Sequence, residues 1–152
     1  MFRILLILTA IMMPSCLFAG ERVSATNFYV VKQETFSAGI ETFWTEDNIG
    51  TFTVSEGPID PGFARCVGSG FGGPDGIRGG GICVYGEGGD TFTMEWKVEG
   101  FGVNSWRIVT STGKYKGMSG KGTTKTRVKS KFLKLAHRVS DWEGEIKLPG
   151  RD

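Results

Sequence analysis

Two side chains could carry acid–base chemistry in this chain, and neither stands in a recognised catalytic signature. By strand alternation the single histidine, His137, shares a face with Leu133, Leu135 and Val139, while Glu46 shares one with Ile40 and Trp44. On the lined face of a fold, either is a candidate general acid or base with a displaced pKa. The plainer reading is a packed, hydrogen-bonded histidine and a glutamate at a turn beside Asp47 and Asn48. No serine–histidine–acid signature and no glycine-flanked serine in a fitting context accompanies them. Metal chemistry is not expected, because His137 lies far from Cys66 and Cys83 and no Cys-x-x-Cys spacing occurs. No cofactor is expected either.

Two glycine runs invite a phosphate reading. "GSGFGG" at 68–73 has the Gly-x-Gly-x-x-Gly spacing, but Pro74, Asp75 and Gly76 follow it where a helix N-terminus would have to stand. The run is expected to be a long glycine-rich loop between two cysteine-bearing strands. "STGKYKGMSGKGTTKT" at 111–126 has Tyr115 where a phosphate loop needs glycine, and Gly122 where it needs serine or threonine. Its glycines suit a tight turn entering a strand, with positive φ at the bend and room in the strand for a bulky neighbour such as Trp106 or Trp142.

The elements that must position these residues are strands. In "DTFTMEWKVEG", Phe92, Met94, Trp96 and Val98 fall on one face, and Thr91, Thr93, Glu95, Lys97 and Glu99 on the other. That is a half-buried antiparallel strand. Similar segments begin at Asn27, Ile40, Ile49, Gly62, Gly80, Val103, Gly120, Lys131 and Asp141, separated by Gly-, Asn- or Asp-bearing turns. The pattern predicts an all-β domain, a single antiparallel up-and-down β-barrel of about eight strands, closed so that no edge is left unpaired. A barrel of that size is filled by side chains or encloses one small cavity. The four tryptophans, Trp44, Trp96, Trp106 and Trp142, are the expected ligand-binding wall.

Residues 1–19 read as a signal peptide: Arg3, an apolar run from Ile4 to Met13, Pro14, and a cleavage site at Ala19. The run is too short for a stable membrane span. Lipidation at Cys16 is an alternative, and both readings lead out of the cytoplasm to a secreted or periplasmic location. Residues 20–152 then form one domain that keeps Cys66 and Cys83, a pair expected to form a disulfide rather than stay as two buried thiols.

Charge divides along the chain. Gly20 to Gly100 holds twelve acidic and five basic residues, and Phe101 to Asp152 four acidic and twelve basic. Either the strip from Arg107 to Arg138 binds an anionic partner, or oppositely charged strands pair across the outer face. Nucleic acid is not expected, because the bases alternate with Thr and Ser and no aromatic platform accompanies them.

"STGKYKGMSGKGTT" at 111–124 and "WEGEIKLP" at 142–149 resemble the C-terminal half of the secreted barrel domains related to allene oxide cyclase and the dirigent proteins. "GGDTFTMEW" at 88–96 extends the likeness loosely. The resemblance implies an eight-stranded barrel with an apolar cavity, often in homo-trimers. Plant members cyclise a fatty-acid epoxide or steer the coupling of phenolic radicals, whereas many bacterial relatives have no known activity. Cys66, Cys83 and "KTRVKSK" at 125–131 depart from the plant pattern, and no catalytic position carries over. Three roles follow: a barrel holding a small apolar or amphipathic ligand, a cyclase-like enzyme, or a filled structural barrel acting through its basic surface.

Overall fold

The computed structural model describes residues 20–100, 104–132 and 135–150; the expected signal peptide, with Cys16, lies outside them. Eight strands follow in order: β1 (Glu21–Ala38), β2 (Glu41–Glu56), β3 (Gly62–Gly73), β4 (Gly76–Glu87), β5 (Asp90–Gly100), β6 (Asn104–Ser111), β7 (Ser119–Phe132) and β8 (Leu135–Lys147). Each pairs antiparallel with the next, and β1 pairs with β8 to close the barrel. This is the expected architecture.

Two details differ from the alternation. The segments beginning at Ile40 and Ile49 are one strand, β2, because Asn48 and Gly50 continue the ladder instead of turning. Gly50 is there for space: a Cβ on it would lie 1.9 Å from the Phe28 carbonyl oxygen. The long glycine-rich loop is likewise replaced by a hairpin of β3 and β4 turning at Pro74 and Asp75. Its glycines lie under rings from neighbouring strands. A Cβ at Gly68 would fall 2.3 Å from the Trp96 ring, and one at Gly70 or Gly79 would fall 2.6 or 2.8 Å from the Trp44 ring. Bare backbone at 68, 70, 79 and 81 therefore forms the seat on which these indoles rest.

One end of the barrel is plugged. Phe92 stacks on Tyr85 at 5.0 Å and meets Phe52 and Tyr115 edge-on, at 6.3 and 5.5 Å. Ile59, Met118, Ile146 and Leu148 complete this packing. Burial contributes roughly 1.5–3 kcal/mol for each large side chain. The run 111–126 supplies part of the plug: Gly113 and Gly117 take φ of 57° and 81° around a 3₁₀ turn (Gly113–Tyr115), and the Tyr115 hydroxyl accepts from the Asp60 amide at 3.1 Å. Farther on, Gly122 and Gly144 face each other beneath Trp106, whose Cζ2 would lie 2.6 Å from a Cβ at Gly122. Gly122→Ala is expected to lower unfolding free energy by about 1–3 kcal/mol, read as a lower urea midpoint at unchanged slope.

The outer face carries both charge signs on β5 to β8. Arg107 binds Glu95, Arg127 lies 3.4 Å from Asp141, and Lys121 and Lys125 stand opposite Glu145 and Asp141. Cross-strand pairing thus accounts for much of the basic strip. On β1 to β4 the outside is more apolar: Phe28, Val30, Ile49, Phe63, Val67, Ile82 and Val84 are exposed.

Candidate functional site

Above the plug the barrel is hollow, with a cavity of about 270 Å³. Strand alternation decides what lines it. Inward positions on β1 bring Asn27 and Tyr29, β2 brings Trp44, Glu46 and Asn48, and β3 and β4 bring Cys66, Cys83 and Tyr85. β5 adds Met94 and Trp96, β6 adds Trp106, and β8 adds Arg138, Ser140 and Trp142. All four tryptophans therefore line one chamber. Trp44 and Trp96 stack at 6.1 Å with ring planes 9° apart, and Trp106 meets Trp142 edge-on at 5.3 Å. Gln33, Ile77, Asn104 and Lys129 lie toward the opposite end from the plug.

The wall also carries a buried ion pair. Arg138 donates through Nη1 to Glu46 Oε1 at 2.9 Å and through Nη2 to Oε2 at 2.7 Å, while Asn48 Nδ2 donates to Oε1 at 3.0 Å. The Glu46 side chain is 6% exposed and that of Arg138 15%. Such a pair is oriented by its hydrogen bonds, since two charges out of water offset their desolvation only in good geometry. Two atoms in this cluster, Asn48 Oδ1 and Arg138 Nε, are buried with no hydrogen-bond partner among the described residues. Glu46 thus stands within β2 and faces the chamber; it is not at a turn.

His137 does not share this site. It alternates with Arg138 on β8, pairs in register with Val30 and Ser130, and is half-buried on the outer side. The alternation that groups it with Val139 is correct, but that face points away from the cavity. The same alternation turns Arg138 inward beside Ser140 and Trp142, although its sequence neighbours suggested one more surface cation.

A second polar group adjoins the pair. The Tyr29 hydroxyl lies 3.0 Å from Cys66 Sγ and 3.3 Å from the Tyr85 hydroxyl; Asn27 Nδ2 donates to Tyr85 at 3.3 Å, and Trp142 Nε1 donates to Asn27 Oδ1 at 3.3 Å. Burial raises the Tyr29 phenol well above its ordinary pKa, and Tyr85 nearby raises it further. Burial also raises Tyr85. Both hydroxyls therefore keep their protons at neutral pH. Alternation alone could have singled out Asn27 and Tyr29, as polar groups interrupting the inward series Val23, Ala25 and Val31.

Cys66 and Cys83 form the disulfide, directly opposite one another on β3 and β4. Among the described residues no three of His, Cys, Asp or Glu gather to hold a metal ion. No described helix is long and apolar enough to cross a membrane, a statement that does not extend to strands.

A closed eight-stranded antiparallel barrel, plugged at one end and hollow above, makes this a small β-barrel of dirigent-like fold. The likeness is to the solved structure of a pterocarpan synthase dirigent protein, with 15% identity and a TM-score of 0.50 over 89% of this chain and 94% of that one. At that identity the likeness is one of fold, and no site residue transfers from it. No family model matches the chain, and no curated protein does.

Proposed function

We propose that this protein binds one small amphipathic molecule inside its barrel, outside the cytoplasm. The observation that carries this reading is the cavity of about 270 Å³, lined by four indoles and by hydrogen-bonding groups. Small-molecule sites have this composition: mostly apolar and aromatic walls with a few fixed polar groups that set orientation. Trp44, Trp96, Trp106 and Trp142 supply the apolar wall, and Glu46, Asn48, Arg138 and Tyr29 the polar one. The disulfide supports an oxidising compartment, in keeping with the signal peptide read at residues 1–19.

Because all four tryptophans line the chamber, their emission is the readout. Titration with a panel of small aromatic and lipid compounds is expected to change emission saturably for at least one, with a matching rise in melting temperature. A panel that moves neither signal overturns the proposal.

A second reading, a cyclase-like enzyme, is favoured by the Glu46–Arg138 pair in the cavity wall. Such a site holds a flexible substrate in one reactive shape, with the pair fixing its polar end. The two readings separate on the fate of the bound compound. An enzyme returns it as an isomer, and a binding protein returns it unchanged.

A further inference from the structure

The hydrogen bonds around Tyr29 run in one direction, and both ends of the chain set it. An indole N–H can only donate, so the Trp142 contact puts Asn27 Oδ1 toward Trp142 and turns Nδ2 toward Tyr85. A disulfide sulfur carries no hydrogen, so the 3.0 Å contact between Tyr29 and Cys66 exists only with Tyr29 as donor. With its own hydrogen committed, Tyr29 accepts from Tyr85 across 3.3 Å. The series is therefore Trp142 to Asn27, Asn27 to Tyr85, Tyr85 to Tyr29, and Tyr29 to Cys66 Sγ.

The last hydrogen has the poorest partner. Sulfur is a weak acceptor, while each preceding donor polarises the next hydroxyl and strengthens it. Tyr29, Tyr85, Asn27 and Cys66 all line the cavity, and Tyr29 is only 5% exposed. A ligand oxygen reaching Tyr29 would displace a weak bond and form a strong one. The chemistry of that oxygen follows from the charges around it. Among the described lining residues Glu46 and Arg138 cancel one another, and the remaining cation, Lys129, is exposed. The inner chamber therefore favours an uncharged guest.

We infer that the Tyr29 hydroxyl is the donor that anchors the acceptor oxygen, a carbonyl or ether, of a neutral ligand in the barrel. This rests on the cavity-binding reading above and deepens it. Two probes of nearly equal shape test it: 2-acetylnaphthalene, which has a carbonyl, and 2-isopropylnaphthalene, which does not. Equilibrium dialysis gives their affinities for the wild-type protein and for Tyr29→Phe. The substitution is expected to weaken the ketone about three- to tenfold and to leave the hydrocarbon within about twofold. Equal change for both probes, or no change for either, overturns the inference while leaving cavity binding intact. Failure of both probes to bind the wild-type protein counts against both proposals.

A measurement on the wild-type protein alone keeps the test independent of how the variant folds. The carbonyl stretch of bound 2-acetylnaphthalene is expected below its frequency in hexane, as a donated hydrogen bond requires. A band at the hexane frequency overturns the assignment.

Discussion

Arg138→Ala is expected to lower the unfolding free energy by about 3–5 kcal/mol, the largest effect of any single substitution considered. Removing the guanidinium leaves the Glu46 carboxylate inside the barrel with Asn48 as its remaining hydrogen-bond donor among the described residues. The loss reflects an uncompensated buried charge more than the worth of the pair itself. A second variant separates the two. Glu46→Leu combined with Arg138→Met removes both charges and fills similar space, and it is expected to be more stable than Arg138→Ala and close to wild type. Urea denaturation at neutral pH measures all three proteins. If Arg138→Ala and the double variant unfold at the same midpoint, the uncompensated Glu46 charge is not the source of the loss.

Removing the disulfide is expected to cost about 3 kcal/mol. Cys66 and Cys83 are 17 residues apart, and the chain between them includes Gly68, Gly70, Gly72, Gly73, Gly76, Gly79, Gly80 and Gly81. Unfolded, such a segment is unusually free, so closing it restricts the unfolded chain as well as tying β3 to β4. Alanine at both positions is the cleaner replacement, because serine would give Tyr29 a stronger acceptor than sulfur. The Cys66→Ala, Cys83→Ala variant should show a lower urea midpoint under oxidising conditions and no further loss on adding reductant. The wild-type protein should fall toward the variant when reduced. A wild-type midpoint indifferent to reductant would overturn the expectation.

Much of this fold was legible in the chain because alternation is a local property. Phe92, Met94, Trp96 and Val98 declare the inward face of β5 without reference to any other strand. With Cys16 assigned to the signal peptide, Cys66 and Cys83 had only each other to pair with. The turn at Gly113 and Gly117 was equally readable, since positive φ is a demand glycine meets alone.

The glycines of β3 and β4 were not legible in the same way. Their reason is the Trp44 and Trp96 rings, which arrive from β2 and β5, and no local pattern separates a glycine that bends the chain from one that lies under an indole. The pairing of Glu46 with Arg138 was hidden for the same reason. They are 92 residues apart, and although Glu46 stood out as a candidate acid or base, Arg138 read as one more cation of the basic strip until closure of the barrel brought the two together.

The sequence by itself determined the strand periodicity, the closed all-β architecture, the cysteine pairing and the set of indoles available to line an interior. Only the tertiary structure decided that the interior is hollow at one end, that Arg138 faces in while His137 faces out, and that the hydrogen bonds of Tyr29 end on sulfur. Periodicity divides a strand into two faces, but which face is inside, and what meets it there, depends on the register of strands distant in sequence.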